Sequence, residues 1–141
     1  MTEADAPALA ALDARYFSES WSEKAFLDTF VSPTETGLVL EDEELCGYIT
    51  AYFSLDEGNI TRVLVEDGLR RQGLGKRLVE ALFAAPEAGE MQTCFLEVRE
   101  HNQAAIALYE SCGFAAVGKR KRFYRSPEED ALVMRCQVKE G

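Results

Sequence analysis

The feature that most limits the folds open to this chain is a glycine-containing junction between a strand and a helix. Residues 60–65 are apolar and β-prone, and from Gly75 onward the apolar residues recur at helical spacing. Gly73 and Gly75 lie at the junction, and glycine lets a backbone approach an anion closely. The N–H groups at a helix start attract negative charge, so the junction predicts a phosphate-binding site. Four basic residues surround it: Arg70, Arg71, Lys76 and Arg77.

The two common nucleotide-binding motifs do not account for this junction. A Walker A loop requires G-x-x-x-x-G-K-[ST], and Gly68 and Gly73 have that spacing. However, Leu74 and Gly75 replace its lysine and hydroxyl residue. A dinucleotide fingerprint requires G-x-G-x-x-G, but Leu78 stands at the third glycine. Two possibilities remain open: a phosphate site of another kind, or a glycine turn with a basic rim and no ligand.

Hydrophobic periodicity along the chain predicts one α/β (or α+β) domain covering residues 1–141. Ser22 is the expected N-cap of the second helix, and Trp21 and Phe26 occupy the positions of a hydrophobic staple. Three closely connected strands followed by alternating helices and strands predict a mixed, mostly antiparallel sheet flanked by helices, in the order ααβββαβαββ. The predicted helices cover 4–16, 22–30, 75–83 and 102–112, and the predicted strands 37–40, 45–55, 60–65, 93–98, 115–121 and 131–138.

Charge is distributed unevenly along the chain, which carries 15 basic and 25 acidic residues and a net charge of −10. Thirteen of the acids but only two of the bases lie in residues 1–60. This asymmetry predicts a basic peptide as partner of the first part and an anionic ligand for the middle, unless the acids serve only solubility. The net sign disfavours duplex nucleic acid as the main partner.

Hydropathy and cysteine usage narrow the class of protein further. No apolar run approaches the ~20 residues that span a bilayer, and the acidic N-terminus lacks the basic region of a signal peptide. We therefore expect a cytoplasmic protein that is not bound to a membrane. The cysteines are scattered and form no C-x-x-C motif, so we expect small buried thiols and no metal site. They are Cys46, Cys94, Cys112 and Cys136.

A second group of polar residues lies downstream in an otherwise apolar context. Strand alternation places Leu96 and Val98 on one face and Glu97 on the other. A carboxylate in an apolar strand is costly to bury unless it is paired or has a function. An ion pair with Arg99 or another neighbour is therefore the alternative to a catalytic role.

The helix that follows presents a polar residue at each end of one face. Asn102 and Tyr109 are seven residues apart and therefore only ~20° apart around the helix axis. An amide and a phenol two turns apart can contact one elongated ligand. The alternative is that Asn102 only caps the helix and Tyr109 belongs to the core.

Three strings of the sequence together resemble one enzyme superfamily. They are WSEKAF (21–26), RRQGLGK (70–76) and LEVREHNQAAIALYESCGF (96–114). The second matches the pyrophosphate loop [QR]-x-x-G-x-[GA] of the GNAT acetyltransferases, and the element order is that of the same superfamily. The set is most similar to the RimI type, whose members acetylate the N-terminal alanine of a small-subunit ribosomal protein.

The resemblance implies acetyl-CoA as co-substrate and direct transfer to the α-amine of a ribosomal protein N-terminal peptide, without a metal. It implies that Glu97 is the general base and Tyr109 the general acid, that two central strands splay apart near Val65, and that Trp21 and Tyr124 bind the substrate. The implied cofactor-binding residues are Val63, Leu64, Val65, Arg71, Gln72, Gly73, Leu74, Gly75, Lys76 and Asn102.

Two alternatives remain beside this interpretation: a GNAT enzyme for another protein N-terminus or a small amine, and a CoA-binding module without turnover. Intact Glu97 and Tyr109 disfavour the module. One departure from the family is Asp67, where a proline is usual after the central strand. In this interpretation a valine at Gly75 blocks the anion and leaves the fold intact.

Overall fold

The computed structural model describes residues 1–17, 20–32, 34–42, 44–65, 73–89, 91–125 and 128–138. Within them, the order of elements is the predicted one, ααβββαβαββ. The helices are α1 (Ala6–Tyr16), α2 (Glu23–Val31), α3 (Leu74–Ala84) and α4 (Gln103–Ser111). The strands are β1 (Glu35–Asp42), β2 (Glu44–Ser54), β3 (Glu57–Val65), β4 (Thr93–Arg99), β5 (Ala115–Arg125) and β6 (Glu128–Gln137).

The six strands form one mixed sheet in the order β1-β2-β3-β4-β6-β5, with helices against it, so the predicted fold class is confirmed. Four of the five strand pairs are antiparallel. The pair β3–β4 is parallel, and α3 provides the crossover that a parallel connection requires.

The two central strands pair over only part of their length. Pairing runs from Glu57 opposite Thr93 to Ile60 opposite Leu96, although both strands continue beyond that point. In β3 the register against β2 shifts by one residue, so that Thr61 has no counterpart. A bulge bends its strand, and here it lies where β3 leaves β4. The splay implied by the family resemblance is therefore present.

The sheet buries one apolar cluster on each face. Strand β2 alternates between them, with Tyr48 facing α1 and α2 and Ile49 facing α3 and α4. Strand β4 buries Leu96 and Val98 in the second cluster and leaves Glu97 partly exposed on the opposite face, as the alternation predicted.

Local signals at the helix ends behave as expected. The Ser22 hydroxyl accepts a hydrogen bond from the Ala25 N–H at 3.2 Å, and the rings of Trp21 and Phe26 lie 5.4 Å apart, which confirms the cap and the staple. Helix α4 ends before Gly113, whose φ of +97° is open to glycine at little cost.

The strand ends differ most from prediction at the C-terminal hairpin. We predicted strands at 115–121 and 131–138, but β5 continues to Arg125 and β6 starts at Glu128. An irregularity in β5 makes this possible, because three residues (121–123) stand opposite Asp130 alone. Arg122 takes a left-handed φ of +53° there and donates its N–H to the Asp130 carboxylate at 2.9 Å.

All four cysteines are free thiols, and three of them are buried, as expected: Cys46, Cys94 and Cys136. Cys112 is partly exposed at the end of α4. In the described part of the chain, no helix has the length and apolarity needed to cross a membrane.

Candidate active site

Glu97 is the first residue of β4 beyond the last β3–β4 pair, so its side chain lies where the two strands separate. One carboxylate oxygen, Oε1, lies 3.3 Å from a guanidinium nitrogen of Arg120 on β5. The other, Oε2, is buried and has no hydrogen-bond partner among the described residues. The expected ion pair thus exists, but with Arg120 and not Arg99, and it occupies one oxygen only. The second oxygen is an acceptor without a donor in the part of the chain that the structure describes.

Tyr109 lies on α4, against the opposite face of the sheet from Glu97. Its ring is buried and packs edge-on against Phe114 at 6.0 Å, so the alternative that it belongs to the core is correct for the ring. Burial, and then the neighbouring Tyr124 and Cys112, raise the pKa of the Tyr109 phenol above its ordinary value of 10.0. The hydroxyl therefore keeps its proton at neutral pH, as a proton donor must.

Tyr124 interacts electrostatically with both Glu97 and Tyr109. Burial, followed by the negative charge of Glu97, raises its pKa to about 12, while Arg99 and Arg62 act in the opposite direction. Tyr124 also raises the pKa of Tyr109, so it interacts electrostatically with both residues, and the catalytic and substrate-binding roles of the three stay predictions.

On the cofactor side, α3 begins at a residue with an unusual backbone conformation. Gly73 is the N-cap with a φ of +76°, and a Cβ added there meets no atom of the described residues within 4 Å. Open space at a helix start, with Lys76 exposed in the first turn, suits the phosphates of acetyl-CoA. Leu74 and Gly75 provide the backbone between Gly73 and Lys76. Arg71 and Gln72 lie outside the described residues.

Gly75 has a structural role that the sequence did not predict. A Cβ added there lies 2.8 Å from Cδ2 of Leu108 on α4, so the glycine allows α3 and α4 to approach each other. The expectation that Gly75→Val leaves the fold intact stays a prediction, since a side chain there meets the terminal methyl groups of Leu108, which must shift to make room.

The end of β3 and the start of α4 border the splay. Val63 and Val65 pack against the cluster under α3 and α4, while Leu64 is buried on the other face. Asn102 is the N-cap of α4, and its Oδ1 accepts the Ala105 N–H at 3.2 Å. Capping is thus confirmed for Asn102, and a cofactor contact from its exposed side chain stays a prediction.

Trp21 is half-buried at the entrance to α2, at the edge of the other cluster. The Arg62 guanidinium lies 4.9 Å from its ring centroid and 4.2 Å from that of Phe17. The Trp21 backbone N–H donates to Asp13 at 2.7 Å. These contacts hold Trp21 on the side of the splay that faces α1 and α2.

Asp13 and Arg62 are the polar residues that sequence reasoning missed. Asp13 is fully buried and accepts from the Tyr48 hydroxyl and from two guanidinium nitrogens of Arg62, at 3.2 and 3.1 Å. One signal was available: Asp13 stands four residues after Leu9, on the apolar stripe of α1. A charge on such a stripe indicates a buried partner.

The geometry of the site supports transfer between two bound molecules. Strands β3 and β4 stop pairing beyond Ile60 and Leu96, with the Glu97 carboxylate on one face of the sheet and Tyr109 packed against the other. Among the described residues, no three His, Cys, Asp or Glu side chains come close enough to hold a metal ion.

Comparison with known proteins agrees with this arrangement. The family model described as acetyltransferase (GNAT) family matches residues 6–114. The ribosomal protein bS18-alanine N-acetyltransferase of Salmonella typhimurium is 34% identical over 98% of this chain and 95% of its own length. The N-alpha-acetyltransferase RimI of Mycobacterium tuberculosis is 32% identical over 96% of this chain and 88% of its own.

A solved structure extends the similarity to three dimensions. The crystal structure of the ribosomal-protein-S18-alanine N-acetyltransferase from Escherichia coli superposes with a TM-score of 0.88 at 30% identity, covering 100% of this chain and 92% of that one. Sequence and fold agree, and this chain belongs to the GNAT family of acetyltransferases.

Proposed function

We propose that this protein transfers the acetyl group of acetyl-CoA to the α-amine of an N-terminal alanine on a small-subunit ribosomal protein, in the cytoplasm. The relatives that carry this activity in their names match the chain over nearly its whole length. The observation that carries the proposal is the position of Glu97, the first residue of β4 beyond the β3–β4 pairing. One of its carboxylate oxygens has no hydrogen-bond partner among the described residues.

Glu97 serves as the general base in this proposal. An α-amine has a pKa of about 7.7–8.0, so it is largely protonated at neutral pH and must lose a proton before it attacks a thioester. The buried Oε2 of Glu97 accepts that proton, directly or through a water molecule. Arg120 holds the other oxygen, which limits the rotation of the carboxylate.

Tyr109 serves as the general acid. Its phenol is protonated at all pH values near neutrality, because its pKa is raised by burial. It donates its proton to the thiolate that leaves when the acetyl group is transferred. No covalent enzyme intermediate is needed, and the raised pKa values of Cys94, Cys112 and Cys136 disfavour a thiolate nucleophile.

Acetyl-CoA supplies the acetyl thioester. We assign its phosphates to the junction before α3, formed by Arg71, Gln72, Gly73, Leu74, Gly75 and Lys76, where helix N–H groups favour an anion. Its pantetheine arm runs along the backbone of Val63, Leu64 and Val65, and Asn102 contacts it from α4.

The acceptor peptide enters from the other side of the crevice, between Trp21 and Tyr124. Trp21 lies at the edge of the cluster under α1 and α2, and the ring of Tyr124 lies 4.3 Å from the Arg99 guanidinium, which shares a face of β4 with Glu97. The acidic residues in the first 60 positions attract a basic N-terminal peptide, and the protein binds neither nucleic acid nor membrane directly.

The test is acetylation of synthetic peptides by the purified protein with acetyl-CoA, followed by intact mass. A peptide with a free N-terminal alanine and basic residues at positions two to six is expected to gain one acetyl group, and the same peptide with a blocked N-terminus none. Acetylation of spermidine but not of the free peptide would indicate a small-amine enzyme. CoA binding without turnover on either acceptor would indicate a binding module.

In cells, intact masses of ribosomal proteins from strains with and without the gene identify the natural acceptor. A ribosomal protein that is one acetyl group lighter in the deletion strain supports the proposal.

A further inference from the structure

Arg99 on β4 is two residues beyond Glu97 on the same face of the strand. It contacts two side chains, Tyr124 and Glu129, and these contacts indicate a specific role. Its guanidinium lies 4.3 Å from the ring centroid of Tyr124, within the range of a cation–π contact. One guanidinium nitrogen lies 3.4 Å from Oε1 of Glu129 on β6. The arginine side chain is only 25% exposed, so solvent screens these contacts incompletely.

Glu129 is itself held in place from a third element. Its Oε2 accepts the backbone N–H of His101 at 2.8 Å, just before the start of α4. This hydrogen bond, and then Arg99, lower the pKa of Glu129 below its ordinary value of 4.5. The carboxylate is therefore ionised at neutral pH, and its contribution to stability is lost only as the pH falls through that lowered pKa.

These contacts form a chain from the start of α4, through Glu129 and Arg99, to the ring of Tyr124. Tyr124 follows the irregularity in β5, where the ladder of hydrogen bonds with β6 is interrupted. Pairing with β6 resumes at Tyr124, opposite Glu129, and the Arg99 guanidinium stacked on the ring constrains the side chain in addition to the backbone.

We propose that Arg99 is a positioning residue for the acceptor peptide, because it holds the ring of Tyr124 beside Glu97. This rests on the proposed function, since it assumes that Tyr124 contacts the peptide. A planar guanidinium stacks on a ring and binds a carboxylate at the same time, whereas the ammonium of lysine does so poorly. The role is thus specific to arginine, not to positive charge.

The experiment is a double-mutant cycle of Arg99→Gln and Tyr124→Leu, with kcat and KM measured for the N-terminal alanine peptide and for acetyl-CoA. Arg99→Gln is expected to lower kcat/KM for the peptide about tenfold, within the range of a partly desolvated cation–π contact. The KM for acetyl-CoA and the melting temperature are expected to stay near wild type. In the Tyr124→Leu background, Arg99→Gln is expected to have no further effect.

Three more variants support the cycle. Arg135→Gln removes an exposed arginine from β6 that bonds only locally to Gln137, so it is the matched control and is expected to leave the peptide kinetics unchanged. Arg99→Lys is expected to restore less than half of the lost activity. Glu129→Gln keeps Arg99 but weakens its anchor, and it decides the question if Arg99→Gln fails to fold.

Multiplicative losses in the double variant would overturn the proposal, because they would show that Arg99 acts independently of Tyr124. So would full activity in Arg99→Lys, or, where Arg99→Gln does not fold, peptide kinetics unchanged in Glu129→Gln. Failure of the proposed function looks different, since wild type itself would then not acetylate the peptide. The same cycle run with spermidine would in that case test Arg99 separately.

Discussion

The two faces of the sheet are held against their helices by different kinds of contact. Under α3 and α4 the buried cluster is apolar, with Val79 and Leu82 fully buried at its centre. Under α1 and α2 the cluster surrounds a buried carboxylate, Asp13, bound to Arg62 and Tyr48. Apolar contacts set distances through packing alone, whereas ion pairs and hydrogen bonds also set angles. The face proposed to bind the cofactor is thus shaped by packing, and the face proposed to bind the acceptor is shaped by directional polar contacts.

The proposed acid and base follow the same division. Tyr109 reaches the crevice from the apolar face, where burial keeps its proton in place. Glu97 reaches it from the other face, where Arg120 holds one of its oxygens and Arg99 follows two residues later. The proposed acid, which must stay neutral until it donates, is placed where burial favours its neutral state.

The strongest test of this comparison is Tyr109→Phe, which removes one oxygen and keeps the apolar ring. We expect kcat to fall by about 10²–10⁴-fold, the usual range for a lost proton donor, with the melting temperature nearly unchanged. Wild type should show no loss of rate from ionisation of Tyr109 below pH 10, because burial raises its pKa above that value. Steady-state kinetics and thermal melts measure both.

Tyr52→Phe is the matched control for this variant, since Tyr52 is exposed on β2. A Tyr109→Phe enzyme within threefold of wild-type kcat, with chemistry shown to be rate-limiting, would end the assignment of Tyr109 as the acid.

Asp13→Asn tests whether charge holds the acceptor side together. We expect a loss of about 3–5 kcal/mol in the free energy of unfolding, because the change removes the carboxylate charge that lies 3.1 Å from the largely buried Arg62 guanidinium. On the apolar face, Leu82→Ala is expected to cost about 2–5 kcal/mol through the cavity it leaves. Urea denaturation measures both.

Asp28→Asn makes the same chemical change at an exposed ion pair with Lys24 and is expected to cost less than about 0.5 kcal/mol. If Asp13→Asn were equally mild, the distinction between the two faces would be wrong.

Glu97→Gln is expected to lower kcat less than Tyr109→Phe does, by roughly 10–100-fold, because water can accept the proton in its place. The loss should shrink between pH 7 and pH 9, where the acceptor amine, with its pKa of about 7.7–8.0, becomes neutral on its own. The control is Glu100→Gln, at the next glutamate along the chain, which is paired with Lys119 at 2.9 Å. A defect in Glu97→Gln that stayed constant across this pH range would argue against the base.

The smallest expected effect concerns the charge of the acceptor peptide. A peptide with Arg or Lys at positions two to six should have a kcat/KM several-fold higher than one with Glu there, and the gap should close as salt rises. The KM for acetyl-CoA should rise with salt as well, since its phosphates are assigned to a basic junction. Equal rates for the two peptides at low salt would reduce the acidic first part of the chain to a solubility surface.

Much of the fold could be read from local pattern. The cap at Ser22, the stop at Gly113 and the alternation around Glu97 depend on residues a few positions apart, so the sequence contains the whole signal. The same holds for the strand–glycine–helix junction before α3, where Gly73 adopts a left-handed conformation in the structure.

What local pattern could not predict depends on partners far along the chain. Asp13 and Arg62 are 49 residues apart in sequence, and nothing near either of them specifies the other. Gly75 was interpreted through a ligand, because the sequence does not show that Leu108 lies against it. The register shifts described above, in β3 and in β5, likewise become visible only when each strand is paired with its neighbour.

The sequence alone thus determined the order of elements, their faces and the family, because these are written in short-range periodicity and in motifs of fixed spacing. Only the tertiary structure decided that Oε2 of Glu97 has no hydrogen-bond partner among the described residues. It also decided that Arg99 lies on the ring of Tyr124. Those outcomes depend on how strands separated in sequence are aligned, and a shift of one residue in register would turn each side chain to the other face.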